Sequence, residues 1–214
     1  MTERHLKVQR TARYHQLGDP ATARAIWIVV HGYGQLARYF LNSFTDLAVD
    51  RTIIAPEGLN RFYTDEAHQR VGATWMTRED REHEIADHVA YLDALHTSIV
   101  LEVGDLPLGV LGFSQGVATV ARWITMGHVR PHRLVLWGGS LPPELTKQQL
   151  ANALASTQVD LVHGKHDELV PASILRNNEA CLQRSGIAVR CHEFPGGHRL
   201  DPVILARCMA GLGD

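Results

Sequence analysis

Six short runs of mostly apolar, β-branched residues recur along the chain: Ala25–Val30, Thr52–Ala55, Leu108–Phe113, Leu134–Trp137, Val159–Val162 and Val189–Phe194. Most are apolar at nearly every position, the pattern of strands covered on both faces in a mostly parallel sheet. The last alternates more and predicts an edge strand. Between the runs lie helical segments, the clearest over Glu82–Thr97, where Ile85, Val89, Leu92 and Leu95 form one stripe. Others are predicted over Gln115–Met126, Lys147–Ala155, Pro171–Gln183 and Leu200–Gly211. Strand and helix alternate, which predicts right-handed crossovers and a three-layer α/β sandwich with its site at the carboxyl ends of the strands. Lys7–Gln16 adds one or two antiparallel strands at the sheet edge. Pro56 to about Arg81 has no clean period and reads as a long loop, a candidate lid or substrate wall.

Composition narrows the function classes. At 214 residues, 45% hydrophobic and 21% charged, the chain suits one globular domain spanning 1–214. A formal net charge of −2 gives no basic face for a nucleic-acid backbone, so small molecules are the expected partners. Cys181, Cys191 and Cys208 are widely spaced and read as free thiols. Neither zinc spacing nor a phosphate loop appears, so neither metal nor cofactor is expected. The first residues, Met1 to Lys7, are charged and lack the apolar core of a signal peptide, and no apolar run approaches the roughly 18 residues of a membrane span. A cytoplasmic protein without integral membrane association is the expectation.

The chemistry begins at Gly112-Phe113-Ser114-Gln115-Gly116, a GxSxG pattern. With 18 Gly in 214 residues, chance would supply roughly 0.05 such matches. It also falls between a predicted strand and a predicted helix, so Ser114 sits at a sharp turn, where flanking glycines relieve crowding. A serine that merely caps a helix fits the same local grammar. Read as a nucleophile, Ser114 directs the Gln115 amide and the positive helix end at a developing oxyanion. A second donor is predicted where Ala25–Val30 runs into His31-Gly32-Tyr33-Gly34-Gln35: the amide of Tyr33. A plain glycine turn is the alternative there.

A serine hydroxyl needs an imidazole to take its proton, and the imidazole needs a carboxylate to fix its tautomer. His198 follows the last predicted strand, in Gly196-Gly197-His198, and is the candidate base; Asp167 follows the preceding one and is the candidate acid. Rivals are Glu168 as acid and His163 or His166 as base, which lie too close together to come from separate strand ends. Asp160 falls inside a strand. The predicted order is Ser, Asp, His, at separations that fit intervening βαβ units. Apolar side chains near the strand ends, Tyr33, Phe62, Trp75, Met76 and Leu169, are candidates for the substrate wall, with core packing an equal contender.

HGYG at 31–34, APEG at 55–58, GFSQG at 112–116, GKHDELVP at 164–171 and GGH at 196–198 together resemble the phospholipase/carboxylesterase family of small α/β-hydrolases, which includes acyl-protein thioesterases. The resemblance spans nearly the whole chain. It implies an α/β-hydrolase fold without a large cap, esterase activity on carboxylic esters, Ser114, Asp167 and His198 as triad, no cofactor, and a homodimer. Val117 replaces a second glycine after GFSQG, and Gln35 stands where thioesterases often carry aspartate. The stretch Trp75–Asp80 is more similar to small bacterial esterases than to protein-depalmitoylating members. A thioesterase or lysophospholipase, which the same triad can serve, is the alternative among enzymes; a non-catalytic ligand-binding protein on the same fold is the alternative from another class, disfavoured by an intact triad.

Overall fold

The computed structural model describes residues 1–213. In chain order the elements are β1 (Tyr14–Leu17), β2 (Ala25–Val30), α1 (Ala37–Leu41), a 3₁₀ turn (Asn42–Leu47), β3 (Arg51–Pro56), β4 (Asn60–Tyr63), β5 (Val71–Thr74) and α2 (Arg81–Val103). They continue as β6 (Leu108–Phe113), α3 (Gln115–Met126), β7 (Arg133–Trp137), α4 (Lys147–Leu154), β8 (Gln158–Gly164), α5 (Ala172–Arg184), β9 (Val189–Phe194) and α6 (Pro202–Met209). Among the described residues seven strands form one sheet in the order β1-β3-β2-β6-β7-β8-β9, and β4 and β5 pair separately. Only β1 runs antiparallel within the large sheet, so the fold is α/β with a mostly parallel sheet, that of the α/β-hydrolases.

Strands covered on both faces must be apolar at consecutive positions, and β2 shows why. Ile26, Ile28 and Val30 face a core shared with α2, α3, α4 and α5 through Leu92, Val120, Leu150 and Leu182. Trp27 and Val29 face a second core closed by α1, the 3₁₀ turn and α6 through Phe40, Phe44 and Ile204. All six β2 residues are buried. Each large side chain so buried contributes about 1.5–3 kcal/mol, which ties the two helical layers to one sheet. β9 lies at the sheet edge, where only Phe194 of its six residues is buried, in keeping with its less uniformly apolar sequence. Among the described residues no helix is long and apolar enough to cross a membrane.

One expectation is met and two are corrected. The region 7–16 contributes one antiparallel strand at the sheet edge, β1, which begins at Tyr14 because the polar residues before it have no face to bury. The stretch 56–81 holds the β4–β5 hairpin, whose strands are only four residues each, too short for a readable period. It is held to the loop after β2 by Gly34 N–H donating to Ala73 O (2.8 Å) and Ala73 N–H to Gln35 O (3.2 Å). Finally, α1 forms where the sequence reading placed no helix. Its first amide, that of Ala37, donates to buried Glu57 (3.3 Å).

Candidate active site

β6 ends at Phe113 and α3 begins at Gln115, so one residue makes the turn between them. Ser114 takes it with φ 55° and ψ −116°, a conformation that costs a non-glycine residue on the order of 1–3 kcal/mol. Its own amide is secured to Trp137 O at 2.8 Å, tying the turn to the end of β7. A methyl group at Gly112 would strike the Gly116 carbonyl, and one at Gly116 would strike the Val30 carbonyl, so both flanking glycines are sterically required. Backbone strain held in place by close packing on three strands marks a site rather than an ordinary helix cap.

Asp167 and His198 come from the loops after β8 and β9. His198 Nδ1 lies 2.7 Å from Asp167 Oδ2. The carboxylate accepts, so Nδ1 carries the hydrogen and Nε2 is left with a lone pair. The other carboxylate oxygen accepts from the amides of Leu169 (2.9 Å) and Val170 (2.8 Å), which fixes the Asp167 rotamer. Its side chain is only 2% exposed. The His198 ring lies against Phe113, the residue before Ser114, with centroids 4.8 Å apart. Gly138, which follows β7, passes beside this dyad with φ 56°, a conformation that favours glycine; a Cβ there would sit in ordinary contact, 3.4 Å from His198 Cε1.

The loop after β2 closes the other side of Ser114. A Cβ on Gly32 would lie 3.1 Å from that of Ser114, so the two backbones nearly touch. Within this loop Gly32 N–H donates to Gln35 Oε1 (2.8 Å), Gln35 N–H to Gly32 O (3.3 Å) and Gly34 N–H to Ala73 O. Among the described residues the amides of Tyr33 and Gln115 have no such acceptor, the state expected of donors reserved for a ligand. Gln35, the residue standing where thioesterases often carry aspartate, thus holds the loop through its side-chain carbonyl. The Gln115 side chain donates to Met76 O (3.0 Å) and Thr74 Oγ1 (2.8 Å) and accepts from Trp75 N–H (3.2 Å), anchoring the start of α3 to the end of the hairpin.

Two residues unassigned from sequence support this arrangement. His31 is buried, its Nδ1 donating to Gly32 O (2.8 Å) and its Nε2 accepting from Gly58 N–H (3.0 Å), so the imidazole is neutral. Burial lowers its pKa, although the Gly32 carbonyl and Glu57 oppose that. The HGYG and APEG segments are therefore two halves of one clamp. Glu57 takes Arg13 Nε and Arg61 Nε, each at 2.7 Å, as well as the Ala37 amide. Burial alone would raise its pKa, but the two arginines outweigh it and hold the carboxyl below its ordinary range. The signal was present in APEG itself, because a carboxylate between two apolar-flanked strand ends requires partners.

The predicted wall is only partly realised. Tyr33 and Phe62 pack at a tilt at the rim with ring centroids 5.1 Å apart, and Tyr33 is 62% exposed. Leu169 is also exposed at the rim, beside Asp167. Trp75 is a correction: it is buried in the core and its Nε1–H donates to His31 O (2.9 Å), so it supports the loop from below. Met76 is half-buried, its sulfur accepting from Arg122 (3.3 Å) and its carbonyl from Gln115. A cavity of about 390 Å³ does open beside His198, lined by Phe113, Leu36, Phe40, Val71 and Leu200. Its floor is α1, whose five residues are too few to show a helical stripe.

Comparison with known proteins places this arrangement in context. Residues 18–210 match the model of the phospholipase/carboxylesterase family. Among solved structures, a carboxylesterase from Mesorhizobium loti is 20% identical with a TM-score of 0.75, covering 94% of this chain and 95% of its own. Acyl-protein thioesterase 2 of Zea mays is 21% identical with a TM-score of 0.72, covering 92% and 96%. The Bacillus cereus carboxylesterase is 13% identical with a TM-score of 0.70, covering 92% and 91%. At these identities the likeness is one of fold. No curated protein matches the chain.

Proposed function

The chain belongs to the phospholipase/carboxylesterase family, and from that premise we propose that it is a serine carboxylesterase whose nucleophile is Ser114. Family membership supports an esterase or thioesterase of the α/β-hydrolase superfamily; the triad and the ester preference are our reading. The observation that carries it is the His198–Asp167 hydrogen bond at the open end of the sheet, gathered with a serine in strained backbone geometry. In this reading Ser114 Oγ attacks the ester carbonyl carbon as its proton passes to His198 Nε2. The oxyanion is held by the amides of Tyr33 and Gln115, each such donor being worth about 3 kcal/mol in the transition state. His198 then gives the proton to the departing alcohol oxygen, leaving an acyl-serine. Water attacks that ester, His198 takes the water's proton and returns it to Ser114 Oγ, and the acid leaves. Ping-pong kinetics follow.

Asp167 holds the Nδ1–H tautomer and stabilises the imidazolium that forms at each transfer. The cavity beside His198, walled by Phe40 and Phe113 on one side and by Gln35, Ser43 and Arg199 elsewhere, is taken as the seat of small to medium acyl or alcohol groups. A cytoplasmic setting and a homodimer complete the proposal. The test is a rate series on p-nitrophenyl esters of increasing acyl length. Falling kcat/KM beyond medium chains, with no turnover by Ser114→Ala, is the expected result; a rise toward long chains contradicts the substrate class.

A further inference from the structure

A group of metal-ligating side chains lies away from the site, where the segment before β1 meets the start of α2. Asp80, at φ 48°, accepts from His83 Nδ1 at 2.7 Å, and its other oxygen is 3.3 Å from His5 Nε2. The two imidazoles stack with centroids 4.0 Å apart, and Glu3 Oε1 lies 3.2 Å from His5 Nε2. One ligand atom from each of His5, Asp80 and His83 falls within 4.8 Å of the other two. Two donors bound at about 2.1 Å to one ion can lie no more than about 4.2 Å apart, so small side-chain rotations suffice.

We propose that His5, Asp80 and His83 form a surface site for a divalent first-row transition ion, with Glu3 or water completing its shell. Two imidazoles and a carboxylate are the donor set that suits zinc, nickel or copper and not calcium or magnesium. The electrostatics agree, because Glu82 and Asp87 act on His83 in addition to Asp80, and their summed field attracts a dication. All three side chains are 40–55% exposed, so an ion can enter and keep water ligands.

A second group, Asp160, His192 and Cys208, has comparable donors but opposite surroundings. Arg190 already holds Asp160 Oδ2 at 2.8 Å, and Arg133 and Arg207 lie close enough to act on Cys208. Three guanidinium groups repel a dication. The surface group lacks that obstacle, and its ligands stand 75 residues apart in the chain, which hides them from any reading of linear spacing. An ion there would pin residues before β1 to the 77–84 segment, where Thr77 N–H already donates to Glu84 (2.8 Å).

The test is calorimetric titration of the metal-stripped full chain with zinc chloride, paired with trypsin digestion. Expected are saturable binding at this site and at least about tenfold weaker affinity for His5→Ala and for His83→Ala, the scale that loss of one supporting residue produces. His128→Ala, which alters an exposed histidine paired with Asp93 elsewhere, should leave affinity unchanged. Binding should weaken from pH 7.5 to 5.5, since both imidazoles must be unprotonated to ligate. Zinc should also slow cleavage after Arg4 and Lys7 in the unaltered chain and not in His83→Ala. The proposal is overturned by absence of saturable binding, by equal affinity in the His5→Ala/His83→Ala double variant, or by cleavage indifferent to zinc.

Discussion

Two histidine–aspartate pairs in this molecule have nearly the same dimensions and opposite meanings. His198–Asp167 and His192–Asp160 are both 2.7 Å apart, both histidine side chains are 14% exposed, and the aspartates are 2% and 1% exposed. What differs is the rest of the carboxylate's company and where the pair stands. Asp167 receives two neutral backbone amides on its other oxygen, so its charge remains available to an imidazolium. Asp160 receives Arg190, so its charge is already matched. His198 borders a cavity beyond the strand ends, whereas His192 lies within β9 against the middle of β8. A pair of this kind is a catalytic device only where the free nitrogen reaches a reactant.

The contrast can be broken most sharply by making one substitution in each pair. Asp167→Asn should lower kcat on p-nitrophenyl esters by about 10⁴-fold, through loss of the productive tautomer. Asp160→Asn should leave kcat within a few fold. If the two variants lose activity equally, the distinction drawn here is wrong.

A third histidine bounds the comparison, because His88 in α2 is buried with no well-formed hydrogen bond at either ring nitrogen, the Glu84 and Trp75 backbones offering only weak ones. Burial, and then the charge of Arg122, push its pKa down to about 4. The unfolded chain binds a proton near pH 6.5 that the native chain refuses, so stability is full above pH 6.5 and declines toward pH 4. The span corresponds to about 3 kcal/mol. Thermal melts between pH 4.5 and 7 should show this slope, part of it shared by His31, and His88→Leu should flatten it. Staying above pH 4.5 keeps Glu57 out of the measurement, since its stabilisation is lost only below that value.

The smallest expected effects are on stability. Asp160→Asn should cost about 1–2 kcal/mol in chemical denaturation, because Arg190 is 54% exposed and water can compensate it. Asp167→Asn should cost less, its amide oxygen still accepting from Leu169 and Val170.

The difference between these pairs also explains what the sequence could convey. Asp160 falls inside a predicted strand whereas Asp167 and His198 follow strands, and the distinction is legible because buried strands are apolar throughout. The elbow is legible for a related reason, since a sharp turn between strand and helix imposes glycine at fixed offsets. Trp75 is ambiguous in sequence because an aromatic residue in an aperiodic stretch carries no mark of the side it faces. The α1 floor of the cavity leaves no sequence signal because a five-residue helix is shorter than two turns of any periodic pattern. The clamp made by His31 and Glu57 joins segments about 25 residues apart, and only the folded chain brings them together.

In the proposed reaction Ser114 is the residue that carries the acyl group. Incubation of the purified chain with a fluorophosphonate, followed by peptide mass spectrometry, tests this directly. The predicted result is one adduct on the peptide containing Ser114, absent in Ser114→Ala and formed far more slowly in Asp167→Asn but not in Asp160→Asn. An unlabelled Ser114, or ester hydrolysis that survives Ser114→Ala, would contradict it.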